Sequence, residues 1–388
     1  MTPAARVEAA ILILDRIIAG SPAEPALIAW ARASRFAGSG DRAAVRDLVF
    51  DSLRRRRSRA LLGGAPPGAE TGRALMIGMC RETGQDPDTL FTGQGHAPAP
   101  LTLGEAAPPP PVPDDPAIDL PDWIAARLSD DLGPDFPAVA AALRDRAPVW
   151  LRVNTARMTP QAAIAALEAD GVQATPAPDL STALRVTAGE RRVAASAAYR
   201  DGLVELQDLS PQIACAALDA APGTRVLDYC AGGGGKALAL AARGAQVTAH
   251  DADPARMRDL PARAARARTP VGIASPAGPK GGFDLVVTDV PCTGSGTWRR
   301  TPDAKWRITQ ADLDRLVAVQ QEILEQAARH VRPGGQLAYM TCSLLTAENG
   351  AQVARFARMH PEFRPVRSQT LTPLTASDGF FHAVLARD

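Results

Sequence analysis

The sequence lacks the cysteine pattern of a disulfide-stapled or zinc-binding protein. It has five cysteines in 388 residues, an odd number, at positions 80, 215, 230, 292 and 342. No two of them form a Cys-X-X-Cys pair, which disfavours a structural zinc site, and we expect no metal. The spacing shows no disulfide framework, and free thiols are typical of reducing compartments. We therefore expect a cytoplasmic protein.

Long apolar runs are also missing. The longest run near the N-terminus, residues 9–14, is far too short to cross a bilayer. Arg6, Glu8 and Asp15 interrupt the apolar stretch around it, so we expect neither a signal peptide nor a membrane partner. The net charge is only +1. An argument for nucleic-acid binding must therefore rest on local clusters of basic residues.

Length and pattern predict two or three folded domains and a linker. Residues 1–95 carry apolar side chains at helical period and are predicted to be all-helical. Residues 96–121 are rich in proline, which disfavours helix and central strand, and are predicted to be a semi-rigid linker. Residues 122–200 predict a small α/β module. Residues 201–388 alternate strand, loop and helix, which predicts a doubly wound α/β domain with a mostly parallel sheet.

A glycine-rich loop opens the doubly wound part. Residues 230–236 read Cys-Ala-Gly-Gly-Gly-Gly-Lys between a predicted strand and a helix. Consecutive glycines let backbone N–H groups approach a ligand at a helix N-terminus. A P-loop would need glycine at 230 and Ser or Thr at 237, where the chain has Cys230 and Ala237. A nicotinamide site, for which the spacing is a loose fit, and a turn that binds nothing remain the alternatives.

Two cysteines follow two predicted buried strands. Cys292 ends an apolar run that begins at Phe283, and Cys342 ends another that begins at Gln336. Ligands of open α/β sheets bind outside the carboxyl ends of the strands. Neighbouring strands are only about 4.8 Å apart, so we expect the two thiols to face one another across one site. The alternative is that either cysteine is an inert buried residue.

These motifs together resemble those of RNA cytosine-5 methyltransferases. Residues 230–236 resemble the family's S-adenosylmethionine loop, usually Cys-Ala-Ala-Pro-Gly-Gly-Lys. Residues 289–296 resemble its second-cysteine motif, and residues 341–343 its nucleophile motif. Residues 299–306, 207–210 and 378–381 match further stretches of bacterial 16S ribosomal RNA members of the Sun/RsmB type. The resemblance covers residues 122–388, and residues 1–95 are more loosely similar to a NusB-type RNA-binding domain.

The resemblance implies a class I, Rossmann-like fold, a chemistry and a set of site residues. Cys342 is implied as the nucleophile that attacks cytosine C6, and Cys292 as the group that assists release of the product. Asp289 is implied to bind the base or cofactor, and Lys236 to stabilise developing charge. The implied S-adenosylmethionine site comprises Cys230, Ala231, Gly232, Gly233, Gly234, Gly235, Lys236, Asp251 and Asp289. The implied partner is RNA, most simply ribosomal RNA, and we expect a monomer. A transfer RNA enzyme and a non-catalytic assembly factor are the alternatives.

Two departures from the family pattern concern the cofactor site. Gly232 and Gly233 replace the usual Ala and Pro, which should make the empty loop harder to order by roughly 0.4–1 kcal/mol. After the third strand, Ser275 and Pro276 stand where the family usually has a carboxylate near the adenine.

Basic clusters suggest where RNA could bind. We expect the N-terminal domain to bind RNA through residues 54–59, unless these only form a solvated helix end. Basic and aromatic residues just after Cys292 could hold phosphates and stack a base, or one tryptophan could be structural. They are Trp298, Arg299, Arg300, Lys305, Trp306 and Arg307. His250, beside Asp251, is interpreted as an ordinary polar residue at the rim of the site.

Overall fold

The computed structural model describes residues 1–275 and 277–388, so Pro276 lies outside the described residues. The chain forms two compact units. One consists of residues 1–146 and 298–309, and the other of residues 147–297 and 310–388. The division differs from the predicted boundaries at residues 95 and 121, because residues 96–146 and a distant segment pack with the N-terminal helices.

The first unit is helical, as the apolar period predicts. In α1, Pro3 occupies the first turn and the Thr2 hydroxyl accepts a hydrogen bond from Ala5 N at 3.2 Å, which caps the helix. Val7 and Leu14 on its inner face are 2% and 0% exposed. The helices are α1 (Pro3–Ile18), α2 (Ala23–Ala33), α3 (Ser39–Arg54), α4 (Arg56–Leu62), α5 (Gly72–Glu82), α6 (Leu103–Ala106), α7 (Asp122–Leu132), α8 (Phe136–Ala142) and α14 (Ala304–Arg307), with 3-10 turns at Pro87–Thr89, Pro116–Asp119 and Gly133–Asp135.

The proline-rich segment is held against the helices, which differs from the predicted linker. Thr102 and Glu105 form a capping box at the start of α6. Arg73 of α5 pairs with Glu105 at 2.6 Å, and its guanidinium lowers the pKa of that carboxyl to about 2. The buried Asp119 accepts hydrogen bonds from Ser58, through N at 3.0 Å and Oγ at 2.8 Å. These side-chain contacts hold in place a segment that its proline content predicted to be a linker.

The run of arginines at residues 54–59 is part of this packing, so Arg54 and Arg59 are not available to RNA, and RNA contact through the others stays a prediction. The run lies where α3 ends and α4 begins. Arg54 and Arg59 are each only 6% exposed. Arg59 pairs with Glu82 at 2.8 Å, and Arg55 pairs with the same carboxylate at 2.8 Å. Arg56 and Arg57 also have acidic partners. Apart from Asp51, which pairs with Arg54, the carboxylates that neutralise the run come from later segments, which the run itself does not reveal.

Part of the segment after Cys292 is likewise buried in the helical unit. Trp298 and Lys305 are each 1% exposed, and Arg299 is 6% exposed. Lys305 Nζ donates to the carbonyl of Arg54 at 3.0 Å, and Arg54 Nε donates to the carbonyl of Arg299 at 2.7 Å. Burial lowers the pKa of Lys305 to about 7. The prediction that these residues hold phosphates and stack a base is therefore wrong for Trp298, Arg299 and Lys305, which are buried, and stays a prediction for Arg300, Trp306 and Arg307.

The second unit contains a small antiparallel sheet followed by a large mostly parallel one. The small sheet has the strand order β2-β3-β1-β4. Its strands are β1 (Trp150–Val153), β2 (Gln173–Pro176), β3 (Ala183–Ala188) and β4 (Val204–Leu206), with helices α9 (Pro160–Ala169) and α10 (Ala197–Arg200) and a 3-10 helix at Glu190–Ala195. The strand at Trp150–Val153 and the helix at Pro160–Ala169 agree with the small α/β module predicted for this region.

The large sheet has seven strands in the order β10-β11-β9-β8-β5-β6-β7. Strands β9, β8, β5, β6 and β7 are parallel, and β10 and β11 are antiparallel additions at one edge. The strands are β5 (Arg225–Asp228), β6 (Gln246–Ala249), β7 (Val271–Ile273), β8 (Phe283–Asp289), β9 (Val331–Thr341), β10 (Phe363–Leu371) and β11 (Phe380–Arg387). The helices are α11 (Leu209–Ala216), α12 (Gly235–Ala241), α13 (Leu260–Ala267), α15 (Gln310–Ala328) and α16 (Gly350–Met359), with 3-10 turns at Pro254–Met257, Ser295–Thr297 and Thr346–Glu348. The predicted doubly wound, mostly parallel α/β fold is confirmed.

Burial on both faces explains why the central strands are apolar throughout. Leu285 and Val287 of β8 pack into the core beneath α11 and α12. Val286, between them, packs into the core on the opposite face, together with α15 and α16. Because side chains alternate across a strand, a strand covered on both faces needs apolar residues at every position. Within the described ranges, no helix has the length and apolar character needed to cross a membrane.

Candidate active site

The two predicted thiols meet at the carboxyl edge of the large sheet. Strands β8 and β9 are parallel neighbours. Cys292 lies three residues beyond the end of β8, Cys342 directly follows β9, and their Sγ atoms are 3.4 Å apart. The contact with Cys342, and then burial, raise the pKa of Cys292 well above its ordinary value. The pair therefore favours at least one protonated thiol, and either sulfur can be the donor in the contact.

A buried carboxylate fixes the two loops that carry these thiols, and the sequence analysis did not identify it. Glu348 is 0% exposed. Its oxygens accept hydrogen bonds from Thr293, through N at 2.8 Å and Oγ1 at 2.5 Å. They also accept from Ser343 Oγ at 2.5 Å and Gln320 Nε2 at 2.9 Å. Thr293 and Ser343 each directly follow one of the thiols, so one carboxylate holds both. The only sequence signal was a glutamate six residues after Cys342.

Lys236 and Asp289 form an ion pair beside the thiols. Lys236 follows the four glycines, Asp289 is the last residue of β8, and Nζ donates to Oδ2. Burial is the largest single effect and lowers the pKa of Lys236, but the charge and hydrogen bond of Asp289, together with Cys215 and Asp228, outweigh it, so the pKa is raised. The amine therefore stays charged. Two residues to which the resemblance gives separate roles are thus in direct contact.

The glycine loop requires glycine at two of its positions. Gly232 and Gly234 have φ angles of 49° and 81°, which side chains other than glycine rarely adopt. A Cβ atom on Gly234 would also lie 2.2 Å from a methyl carbon of Leu260. Gly232 N donates to Asp251 Oδ2 at 2.9 Å, so the second strand's carboxylate is tied directly to the loop. The predicted loop and Asp251 therefore form one local structure.

Asp228 is a second residue that the sequence analysis missed. It ends β5, directly before the loop, and is 1% exposed. Among the described residues neither of its carboxylate oxygens has a hydrogen-bond partner. Burial raises its pKa to about 7. A carboxylate in this state suits a cationic ligand group, and Asp251 beside it has carboxylate oxygens that suit a ribose diol. The donor set therefore fits S-adenosylmethionine, which carries an ammonium group and a ribose.

The remaining predicted residues have structural partners. Cys230 is half-buried, and burial raises its pKa well above the ordinary value, which makes it an unreactive thiol. His250 Nδ1 lies 2.9 Å from the carbonyl of Tyr229 and its ring stacks on Tyr229, so the interpretation as a rim residue stands. Ser275 Oγ donates to the carbonyl of Gly278 at 3.3 Å. The described part of the chain has no group of three or more His, Cys, Asp or Glu side chains arranged to hold a metal.

Comparisons with known proteins agree with the motifs. A family model described as 16S rRNA methyltransferase RsmB/F matches residues 215–385, and one described as the RsmF/B-like ferredoxin-like domain matches residues 120–192. The ribosomal RNA small subunit methyltransferase B of Xanthomonas campestris is 36% identical over 290 residues, which are 69% of this chain and 66% of that protein. The protein of the same name from Serratia proteamaculans is 32% identical over 284 residues, again 69% and 66%. The chain thus spans just under two thirds of the length of these relatives.

Solved structures share the fold. The crystal structure of PH0851 matches with a TM-score of 0.75 and 23% identity, and the match covers 98% of each chain. A methyltransferase homolog protein from Pyrococcus horikoshii matches with a TM-score of 0.60 and 24% identity, over 69% of this chain and 95% of that one. The predicted Rossmann-like class I methyltransferase fold is confirmed. On its sequence relatives and its fold, the chain belongs to the RsmB/F family of 16S rRNA methyltransferases.

Proposed function

We propose that the protein is a cytoplasmic enzyme that methylates C5 of a cytosine in 16S ribosomal RNA with S-adenosylmethionine. The observation that carries the proposal is the pair of thiols, 3.4 Å apart, at the ends of two neighbouring parallel strands. One of these strands, β8, also pairs with β5, which leads into the glycine loop. The nucleophile and the cofactor loop therefore share one edge of the sheet. The named relatives support ribosomal RNA as the substrate.

The thiol pair suits chemistry that a carbon as unreactive as cytosine C5 needs. Addition of the Cys342 thiolate to C6 forms a carbon–sulfur bond and makes C5 nucleophilic. When bound, S-adenosylmethionine supplies the electrophilic methyl group. The proton on C5 then leaves to a base, and the C6–sulfur bond breaks with its electron pair returning to Cys342. An RNA base must be unpaired or turned out of its stack to reach the thiol.

Neighbouring groups have separate roles in this scheme. Cys292, whose pKa is raised, holds a proton beside Cys342 during attack, so it assists the release step by relaying a proton to a separate base rather than as the base itself. The charged Lys236 and its partner Asp289 are positioned to stabilise charge that develops on the base. Asp228 would hold the ammonium of the cofactor, Asp251 its ribose, and the glycine loop its carboxylate. Glu348 holds the loops that carry the two thiols in fixed positions relative to each other.

Bisulfite sequencing tests the proposal. Ribosomal RNA from cells with and without the gene should differ at one or a few 16S cytosines, and a gene encoding Cys342→Ala should behave as the deletion. A site lost from transfer RNA instead would establish the transfer RNA alternative. If the deletion removes no 5-methylcytosine at all, the protein is an assembly factor rather than a methyltransferase.

A further inference from the structure

The glycine loop is held from outside by two arginines. Four consecutive glycines, residues 232–235, give the loop little conformational preference of its own. Arg263 of α13 donates through Nη1 to the carbonyl of Gly233. Arg152 of β1 donates through Nη1 to the carbonyl of Gly235 at 2.7 Å. Two of the four glycine carbonyls are therefore fixed by charged donors from other parts of the second unit.

The two arginines are themselves oriented by neighbouring residues of the small sheet. Glu205 of β4 is 5% exposed, and its carboxylate lies 3.2 Å from Arg263 Nη2. The same carboxylate accepts two hydrogen bonds, each 2.8 Å long, from Arg266. Gln207, two residues further along the extended chain, accepts from Arg152 Nη1 through Oε1. The small sheet therefore supports both contacts to the loop.

Arg263 lies close beside Gly233 of the loop, whereas Arg266 of the same helix does not contact the loop. A Cβ atom on Gly233 would lie 3.0 Å from Arg263 Nη1, so the guanidinium occupies the position next to the missing side chain. Arg266, by contrast, lies over the ring of Tyr199 at 4.4 Å, and its guanidinium pairs with Glu205 rather than with the loop. Arg263 and Arg266 pair with the same carboxylate, that of Glu205, and their side chains are 23% and 24% exposed. They differ in that only Arg263 contacts the loop.

We infer that Arg152 and Arg263 are positioning residues that hold the glycine loop in its cofactor-binding conformation, with Glu205 orienting Arg263. The small sheet thereby contributes to cofactor affinity without contacting the cofactor. The inference rests on the proposed function, because it assumes that this loop binds S-adenosylmethionine. Its physical basis is that a loop ordered before binding does not lose conformational freedom when the ligand arrives.

The matched pair of arginines gives the test. The full-length protein and its Arg263→Gln and Arg266→Gln variants are titrated with S-adenosylhomocysteine by calorimetry. We expect Arg263→Gln to raise the dissociation constant about tenfold, and Arg266→Gln to change it less than about twofold. Equal losses in the two variants, or no loss in either, would overturn the inference. A variant Arg152→Lys, which keeps the buried charge, should fall between wild type and Arg263→Gln.

A rescue experiment separates loop ordering from general damage. Gly233 has no positive φ angle, so alanine is compatible there once the guanidinium is removed. The double variant Gly233→Ala/Arg263→Gln should bind S-adenosylhomocysteine more tightly than Arg263→Gln alone, since alanine reduces the freedom of the empty loop. A double variant that binds no better contradicts the ordering argument.

Hydrogen exchange without ligand separates failure of this inference from failure of the proposed function. Amides of residues 232–236 should exchange faster in Arg263→Gln than in wild type or Arg266→Gln. Should wild type bind no S-adenosylhomocysteine, the proposed function fails, whereas the exchange rates still report whether Arg263 orders the loop. Unchanged exchange in Arg263→Gln overturns the inference whatever the protein binds.

Discussion

Cys292 Sγ lies 3.4 Å from Cys342 Sγ, and the two thiols are not equivalent. The contact with Cys342 and burial raise the pKa of Cys292, so that thiol retains its proton. The family resemblance assigns the attack to Cys342, and a protonated Cys292 beside it agrees with that assignment. The asymmetry gives each thiol a separate step in the proposed reaction, and each step can be blocked alone.

Substitution of the two thiols should therefore have different results. Cys342→Ser should abolish both methylation and any covalent protein–RNA adduct, because no carbon–sulfur bond can form. Cys292→Ser should still attack and transfer the methyl group and then stall, leaving an adduct that survives denaturing gel electrophoresis. An adduct in Cys342→Ser but not in Cys292→Ser would reverse the roles, and full activity in both would end the two-cysteine mechanism.

Loss of Glu348 should disturb both thiols at once. In Glu348→Gln an amide NH2 group replaces an oxygen that accepts hydrogen bonds. The new N–H groups then face other hydrogen-bond donors at a site that is 0% exposed. We expect a loss of about 1–3 kcal/mol in the free energy of unfolding and a lower kcat, with S-adenosylhomocysteine affinity unchanged. The exposed Glu322→Gln serves as the control. A kcat equal to that of wild type would mean that Glu348 does not position the thiols.

The sequence predicted the parts of this site that depend on regular structure. Apolar runs marked the strands, and because parallel neighbours end at one edge, the meeting of Cys292 with Cys342 followed from the pattern alone. Glu348 could not be predicted, since its partners come from three separate segments that only the folded chain brings together. The burial of Arg54 and Arg59 could not be predicted for the same reason, since the partners of the run at residues 54–59 lie mostly in other helices and turns.

Asp251 should be required for cofactor binding. Asp251→Ala removes the carboxylate proposed to bind the ribose and also the acceptor for Gly232 N. We expect the dissociation constant of S-adenosylmethionine, measured by calorimetry, to rise at least tenfold, or about 1.4 kcal/mol. Asp251→Asn keeps an acceptor for the loop and should lose less. Unchanged affinity in the alanine variant would remove Asp251 from the site.

The helical unit should depend on Arg59 for stability rather than for RNA binding. Arg59 is 6% exposed, pairs with Glu82 at 2.8 Å and donates to Ser52 Oγ at 2.9 Å. Arg59→Ala should lower the free energy of unfolding by about 2 kcal/mol, whereas the exposed Arg42→Ala should change it by less than about 0.5 kcal/mol. Thermal unfolding and RNA titration at several salt concentrations check this. Weaker RNA binding with unchanged stability would restore the RNA-contact prediction for this residue.

Asp228 should make stability fall as pH rises. Its pKa is raised from 3.8 to about 7, chiefly by burial, so the folded state binds a proton that the unfolded state has released. The contribution of Asp228 to the free energy of unfolding is therefore largest at low pH. It is lost as pH rises from the pKa of the unfolded state to that of the folded state. From pH 5 to pH 8 this residue should cost the wild-type protein on the order of 2–3 kcal/mol.

Asp228→Asn should remove that dependence. The amide stays neutral at both pH values, so its own burial cost cancels when the two are compared. Denaturant unfolding should show that the free energy of unfolding of the variant, relative to that of wild type, is higher at pH 8 than at pH 5. A stability difference that is the same at both pH values would show that Asp228 is already ionised at pH 5. That result would contradict the pKa raised by burial.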